Sequence, residues 1–296
     1  MEAMVLDKVV RRVAIVGAGA VGASWAAFYL ARGFDVIATD PEPGAEANLR
    51  RAIDAAWPAL KVLGISPKGS PEHLSFAPNV AAAVSGGDFI QECGPEDHEQ
   101  KVGLFAEIDR MAAADAIIAS SSATLPIGTI QSACRHPERC VTGHAMDPPH
   151  LMPLVEIAAG EKTSPQAVRR ALSFYASVGK KPIFVRRELP GLAAIRLSAA
   201  LQREIDLLVA QGVLDSVDAD TAVCWGPGLR WVLAGASAML PGNRSPDGFA
   251  REHEAALVAL LRLRSRSTAP AKAPARSRRH GNTYRGNTYK DIGDEA

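Results

Sequence analysis

From residue 12 to about residue 145, short apolar runs alternate with longer stretches of helical apolar spacing. That is the pattern of a parallel sheet with crossover helices. Val13-Ala-Ile-Val16 predicts a first strand, Ala18 to Arg32 a helix stopped by Gly33, and Asp35 to Thr39 a second strand. Further strands are predicted at Asp88–Gln91, Ala116–Ala119, Cys140–Thr142 and Leu154–Ile157. Val102, Phe105, Ile108 and Met111 give the stretch from Glu96 to Met111 a helical stripe. Beyond residue 188 the texture changes. Leu192–Gln211 is long, apolar-periodic and free of Gly and Pro until Gly212, and Ser216–Val223 and Phe249–Leu263 continue in the same manner. From Ser265 the chain is rich in Ser, Ala, Pro and Arg, and Gly281-Asn-Thr-Tyr284 recurs at Gly286-Asn-Thr-Tyr289 without apolar periodicity. The expected architecture is α/β: a Rossmann-type doubly wound parallel sheet over 1–188, a smaller all-helical domain over 189–264, and a flexible basic tail over 265–296.

Composition narrows the functional classes. The 296 residues are 47% hydrophobic and 22% charged, enough for a sizeable core and typical of soluble globular chains. The net charge of +1 conceals an asymmetry: 24 Lys/Arg face 29 Asp/Glu up to residue 254, and nine face three from residue 262 on. The globular part is mildly acidic, so charge makes no case for a nucleic-acid partner. No run of eighteen apolar residues is present, and Met1–Arg12 carries charge where a secretory leader would be apolar. Cys93, Cys134, Cys140 and Cys224 form neither a C-x-x-C pair nor a Cys/His cluster. A cytoplasmic protein with no membrane partner, no disulfide framework and no metal is expected.

Candidate chemistry begins directly after the first strand. Gly17-Ala-Gly19-Ala20-Val21-Gly22 lies between that strand and the first helix, and Asp40 ends the second strand 23 residues after Gly17. In a βαβ unit this constellation binds a dinucleotide: Gly17 turns the chain, Gly19 admits the pyrophosphate, and Gly22 lets helix and sheet approach. The phosphates sit on the helix N-terminus. Asp40 would bond the adenosine ribose and repel a 2′-phosphate, and Pro41-Glu42-Pro43 supplies no arginine. NAD is therefore expected rather than NADP.

The second informative segment is Gly143-His-Ala-Met-Asp-Pro-Pro-His-Leu-Met-Pro-Leu-Val-Glu156. His144 would end a strand on the ligand-binding edge of the sheet. Glu156 lies in an apolar strand, where a carboxylate is expensive to bury unless paired. Pairing Glu156 with one nitrogen of His144 fixes the tautomer and leaves the other nitrogen for substrate.

Here the chain resembles the 3-hydroxyacyl-CoA dehydrogenase family, in its branch with L-gulonate 3-dehydrogenase (lambda-crystallin) and L-carnitine dehydrogenase. The likeness runs from about Arg12 to about Leu240. Besides the segments above it rests on Phe89-Ile-Gln-Glu-Cys-Gly-Pro-Glu96 with Lys101, Ala119-Ser-Ser-Ser122, Pro190-Gly191 and Trp225-Gly-Pro-Gly-Leu-Arg-Trp231. The resemblance implies NAD-dependent oxidation of a secondary alcohol at the 3-position of an acid or thioester. His144 is then the acid/base and Glu156 its orienting partner. Glu96, Lys101 and Ser121 join the cofactor site, and Ser122, Asp147 and Arg230 the substrate site. A homodimer formed through the helical half is also implied, although Leu192–Gln211 reads equally as an ordinary buried helix.

Three positions depart from the family. Ala123 stands where a Ser contacts substrate oxygen, Ile195 where an Asn follows Pro-Gly, and Asp147 where His-Pro-x-Asn-Pro has Asn. A biosynthetic 3-ketoreductase acting on a larger intermediate, or an NAD-binding protein of weakened activity, are the alternatives these departures leave open.

Overall fold

The computed structural model describes residues 9–235 and 253–262. Strands β1 (Arg12–Val16), β2 (Asp35–Thr39), β3 (Leu74–Phe76), β4 (Phe89–Glu92), β5 (Ile117–Ser120), β6 (Cys140–Ala145), β7 (Leu154–Ala158) and β8 (Lys181–Val185) form one sheet. Its order is β3-β2-β1-β4-β5-β6-β7-β8. Interleaved with them are helices α1 (Ala20–Ala31), α2 (Ala45–Leu63), α3 (Val80–Val84), α4 (His98–Met111), α5 (Ile127–Ile130) and α6 (Pro165–Ser177). These are followed by α7 (Leu192–Ala210), α8 (Ser216–Trp225) and α9 (Pro227–Ala234). Residues 253–262 are helical as well, within the expected Phe249–Leu263 segment, whose remaining residues lie outside those described. The expected tail over 265–296 lies outside them too. Two compact units divide at Gln202/Arg203, inside α7.

The alternation of side chains along each strand explains the layering. Val13 and Ile15 of β1 enter one core with Phe89, Ile117 and Val141, beneath α1, α2 and α6. Ala14 and Val16 enter the opposite core with Ile90, Ile118 and Cys140, beside Phe105 and Ile108 of α4. Both faces are covered, as a doubly wound sheet requires. The first core is strongly aromatic. Phe174 of α6 stacks on Phe89 at 4.2 Å between ring centroids, and Tyr29 stacks on Trp25 at 5.2 Å.

The sheet departs from uniform parallel pairing at one place: β7 runs antiparallel to β6, and β8 is again parallel to β7. Helices α2 and α6 and strands β3 and β8 also belong to the sheet domain, although the apolar pattern did not single them out. No helix among the described residues is long and apolar enough to cross a membrane.

Candidate active site

The residues singled out by sequence in the first unit gather along the C-terminal edge of the parallel strands. The turn after β1 is built from steric necessity. Gly17 has φ +96°, and a Cβ there would lie 2.6 Å from the Cys93 carbonyl; a Cβ at Gly22 would fall on the Gly17 carbonyl oxygen. Gly19, by contrast, opens onto free space, with nothing within 4 Å of a Cβ built on it. Whereas Asn79, Asp97, Ser164 and Asp215 cap α3, α4, α6 and α8 with their side chains, α1 starts at Gly19 without a side-chain cap and without an acid in its first turn. Its leading N–H groups, including those of Ala20 and Val21, and the positive helix end are thereby offered to an anion. Asp40 closes the arrangement: its carboxylate accepts from the Ala18 amide at 2.7 Å and from the Glu42 amide at 2.9 Å. A glycine cradle open at Gly19, an uncapped helix and a fixed carboxylate fit the diphosphate and ribose of NAD.

The ends of β4 and β5 make a second, mostly buried polar group. Gln91 donates from Nε2 to Ser121 Oγ at 2.8 Å and to the Gly143 carbonyl at 3.3 Å, and Tyr175 donates its hydroxyl to Gln91 Oε1 at 2.6 Å. Glu92 is fully buried; Lys101 Nζ reaches Glu92 Oε1 at 2.8 Å and Ser120 donates to Oε2 at 2.8 Å. Lys101 also donates to the Gly94 carbonyl at 3.1 Å and lies 3.6 Å from Glu96. Its ammonium thus braces the loop from Glu92 to Glu96. Glu96 in turn accepts from Ser122 Oγ at 2.5 Å and from Thr124 Oγ1 at 2.6 Å. Partial burial would push the Glu96 carboxyl up, but the hydroxyl bonds and the Lys101 charge hold it below its ordinary value. Ser122 is buried and also accepts from the Leu125 amide at 3.0 Å, so its hydroxyl is engaged within the protein. Cys93, 3.2 Å from Ser121, has its thiol pushed up to about 12, chiefly by burial, and stays neutral beside the glycine turn.

The reversal of direction at β7 produces the third group. In the β6–β7 ladder, His144 stands opposite Glu156. The loop between the strands accounts for the twelve residues separating them, and His144 Nδ1 lies 3.2 Å from Glu156 Oε2. Glu156 is fully buried, and its Oε1 accepts from the amides of Ala193 at 2.8 Å and Ala194 at 3.0 Å. Burial pushes the Glu156 carboxyl up, but the bonds from His144, Ala194 and Ala193 outweigh it and hold the group below its ordinary value. An ionised glutamate on Nδ1 makes that nitrogen the proton carrier and leaves Nε2 as the basic nitrogen.

The intervening loop holds exposed Asp147, joined to Pro148 by a cis peptide bond. Its supports carry no motif. Buried Lys180 donates to the carbonyls of Pro149 and Met152, the latter at 2.9 Å, with Nζ 3.9 Å from the Phe28 ring centroid. Ser24 of α1 lies 2.8 Å from His150 Nδ1 and accepts from the His150 amide at 2.9 Å. Burial and the nearby Lys180 charge hold that imidazole below its ordinary value. Sequence reading passes over Lys180, whose partners are main-chain carbonyls rather than side chains. Arg230 lies on α9 in the second unit and Ile195 on α7.

A sequence model of the family described as "3-hydroxyacyl-CoA dehydrogenase, NAD binding domain" matches residues 12–189. The chain is 43% identical over 226 residues to L-carnitine dehydrogenase of Pseudomonas putida, covering 76% of this chain and 70% of that one. It is 45% identical over 226 residues to L-carnitine dehydrogenase of Streptomyces griseus, covering 76% and 68%. Among solved structures, 5-formyl-3-hydroxy-2-methylpyridine 4-carboxylic acid 5-dehydrogenase, an NAD+-dependent dismutase, superposes with a TM-score of 0.72 at 32% identity over 87% of this chain and 80% of that one. The fold is also that of (S)-3-hydroxybutyryl-CoA dehydrogenase from Ralstonia eutropha, with a TM-score of 0.67 at 22% identity over 74% and 78%.

Lys180 gives the loop a measurable pH response. Burial pushes its ammonium from 10.5 down to about 7, and the Arg32 charge adds to the effect. The folded state then binds this proton more weakly than the unfolded state, so this group's contribution to stability rises as pH climbs from about 7 toward the ordinary lysine value. In urea melts across that window, the wild-type chain is expected to gain stability relative to Lys180→Met, by at most about 1.4 kcal/mol per pH unit. Parallel pH profiles for the two proteins would remove Lys180 as the source.

Proposed function

The chain belongs to the 3-hydroxyacyl-CoA dehydrogenase family, and on that footing we propose that it oxidises a small free 3-hydroxy acid of the carnitine type, with His144 as the acid/base. The broader activity is NAD-dependent oxidation of a 3-hydroxy group on an acid or acyl compound. The observation that carries the assignment of roles is the His144–Glu156 contact at 3.2 Å, formed at the sheet edge that also presents the glycine turn.

In the oxidation direction the basic Nε2 of His144 takes the proton of the substrate hydroxyl. Glu156, ionised and held by three hydrogen bonds, keeps Nδ1 protonated and stabilises the imidazolium that forms. NAD, when bound, supplies the hydride acceptor. Gly17, Gly19, Ala20, Val21 and Gly22 would hold its diphosphate and Asp40 its ribose, while Glu96, Lys101 and Ser121 shape the adjoining edge. Asp147, on the loop after His144, is assigned to the substrate side. The preference for a free acid over a thioester is supported by the 43–45% identity to L-carnitine dehydrogenases.

A homodimer forms part of the proposal. Within the second unit, Leu207, Val217, Trp225, Trp231 and Val232 are exposed, an apolar set that association would bury.

Four outcomes are expected. Incubated with NAD, the protein should form NADH from L-carnitine faster than from 3-hydroxybutyryl-CoA; the reverse order would move the substrate to a thioester. On the better substrate, His144→Ala should lower kcat by about 10²–10⁴-fold with NADH affinity retained, and near wild-type turnover would sink the assignment. Fluorescence titration should show NADH binding at least about tenfold tighter than NADPH, because Asp40 both bonds the ribose and repels a 2′-phosphate; equal affinities would discount Asp40. Light scattering should give a mass near twice 31.2 kDa, whereas a monomer at all concentrations would dismiss the dimer.

A further inference from the structure

Glu156 does more than face His144. Its second oxygen receives the amides of Ala193 and Ala194, two of the leading N–H groups of α7 that have no partner within the helix. The turn that aims them is conformationally unfavourable. Gly191 has φ +78° and Leu192 has φ +48°, the latter standing alone as a non-glycine residue at positive φ among the described residues. The Gly191 amide is held by the Ala123 carbonyl at 2.8 Å and the Leu192 amide by the Leu189 carbonyl at 3.1 Å, while the Leu192 side chain is buried. A strained backbone fixed from both sides and pointed at a buried carboxylate invites a functional reading.

We propose that the α7 amides of Ala193 and Ala194 are positioning groups for the His144–Glu156 pair. They share the carboxylate's charge, so that Glu156 stays ionised in a dry strand and orients His144 without binding its proton too tightly. This rests on the assignment of His144 as the acid/base.

The chemistry predicts a direction. With one amide removed, the carboxylate charge is less dispersed. Its own proton affinity rises, and so does its pull on a proton held by His144; both displace the pair's titration to higher pH. Other charges do not obscure this. His144 from β6 is the one titratable side chain bonded to Glu156 among the described residues, its register neighbour on β8 is apolar Ile183, and Val155 and Ile157 flank it on β7. From α7 it meets only backbone amides.

Ala194→Pro tests the idea, because proline is tolerated in a first helical turn and deletes one amide. The readout is the histidine NMR signal of His144 in the full-length chain, assigned by its loss in His144→Ala. Its titration midpoint should move up by about one pH unit. In a Glu156→Gln background the same proline should leave the midpoint in place, since a neutral amide has no charge to share. An unmoved midpoint in folded Ala194→Pro, or equal shifts in both backgrounds, would overturn the proposal. Should Ala194→Pro not fold, amide exchange in Glu156→Ala decides. The Ala193 and Ala194 amides should exchange about tenfold faster or more while those at the middle of α7 do not change; unaltered exchange at both positions refutes the link. Neither readout uses turnover, so failure to oxidise any 3-hydroxy acid would count against the proposed function and leave this test standing.

Discussion

A carboxylate without access to water must find its compensation in the protein, and Glu156 finds it from three directions. The imidazole of β6 satisfies one oxygen and two backbone amides satisfy the other. Lacking these bonds, the buried group would take up a proton and cease to act as an anion. The need to keep it charged fixes several features together: the antiparallel course of β7, which sets Glu156 opposite His144; the register of that ladder; and the left-handed entry into α7.

The same principle runs along the sheet edge. Strand β4 ends in Gln91 and Glu92, both fully buried, where a purely structural strand would end in apolar residues. Each is answered from other elements: Gln91 by Ser121, the Gly143 carbonyl and Tyr175, and Glu92 by Lys101, Ser120 and the Gly94 amide at 2.6 Å. Satisfied polar networks of this kind are stiff, because any displacement of one member orphans another. The edge proposed to receive the cofactor is consequently held by the protein's own interior bonds.

Much of this was legible in the sequence, and the reasons differ from residue to residue. Strands β1, β2, β4 and β5 stand out because buried parallel strands are continuous apolar runs, and the glycine turn stands out because each glycine answers a steric demand. The pairing of His144 with Glu156 follows from the improbability of an unpaired glutamate among Leu, Val and Ile. The sequence pattern does not encode the direction of β7, since a strand buried on both faces looks alike whichever way it runs. Helix α2 went unmarked although Leu49, Ile53, Ala56 and Leu60 line its buried face, and so did β8, the outermost strand of the sheet beyond β7. The donors on Glu156 Oε1 are invisible in principle: they are main-chain groups, and Ala193-Ala194 says nothing of where its amides point. Lys180 is hidden for a related reason, because its partners are carbonyls of Pro149 and Met152 rather than side chains.

The loop after β5 has a further consequence. Its shape is maintained by Ser122 and Thr124, which both bond Glu96, and by the main-chain carbonyl of residue 123, which receives the Gly191 amide. The side chain at 123 carries none of that duty. The frame of the loop is therefore independent of which side chain stands at 123, since its bonds come from residues 122 and 124 and from the main chain. Loss of the family's serine at this point thus removes one hydroxyl and leaves the loop's own hydrogen bonds in place.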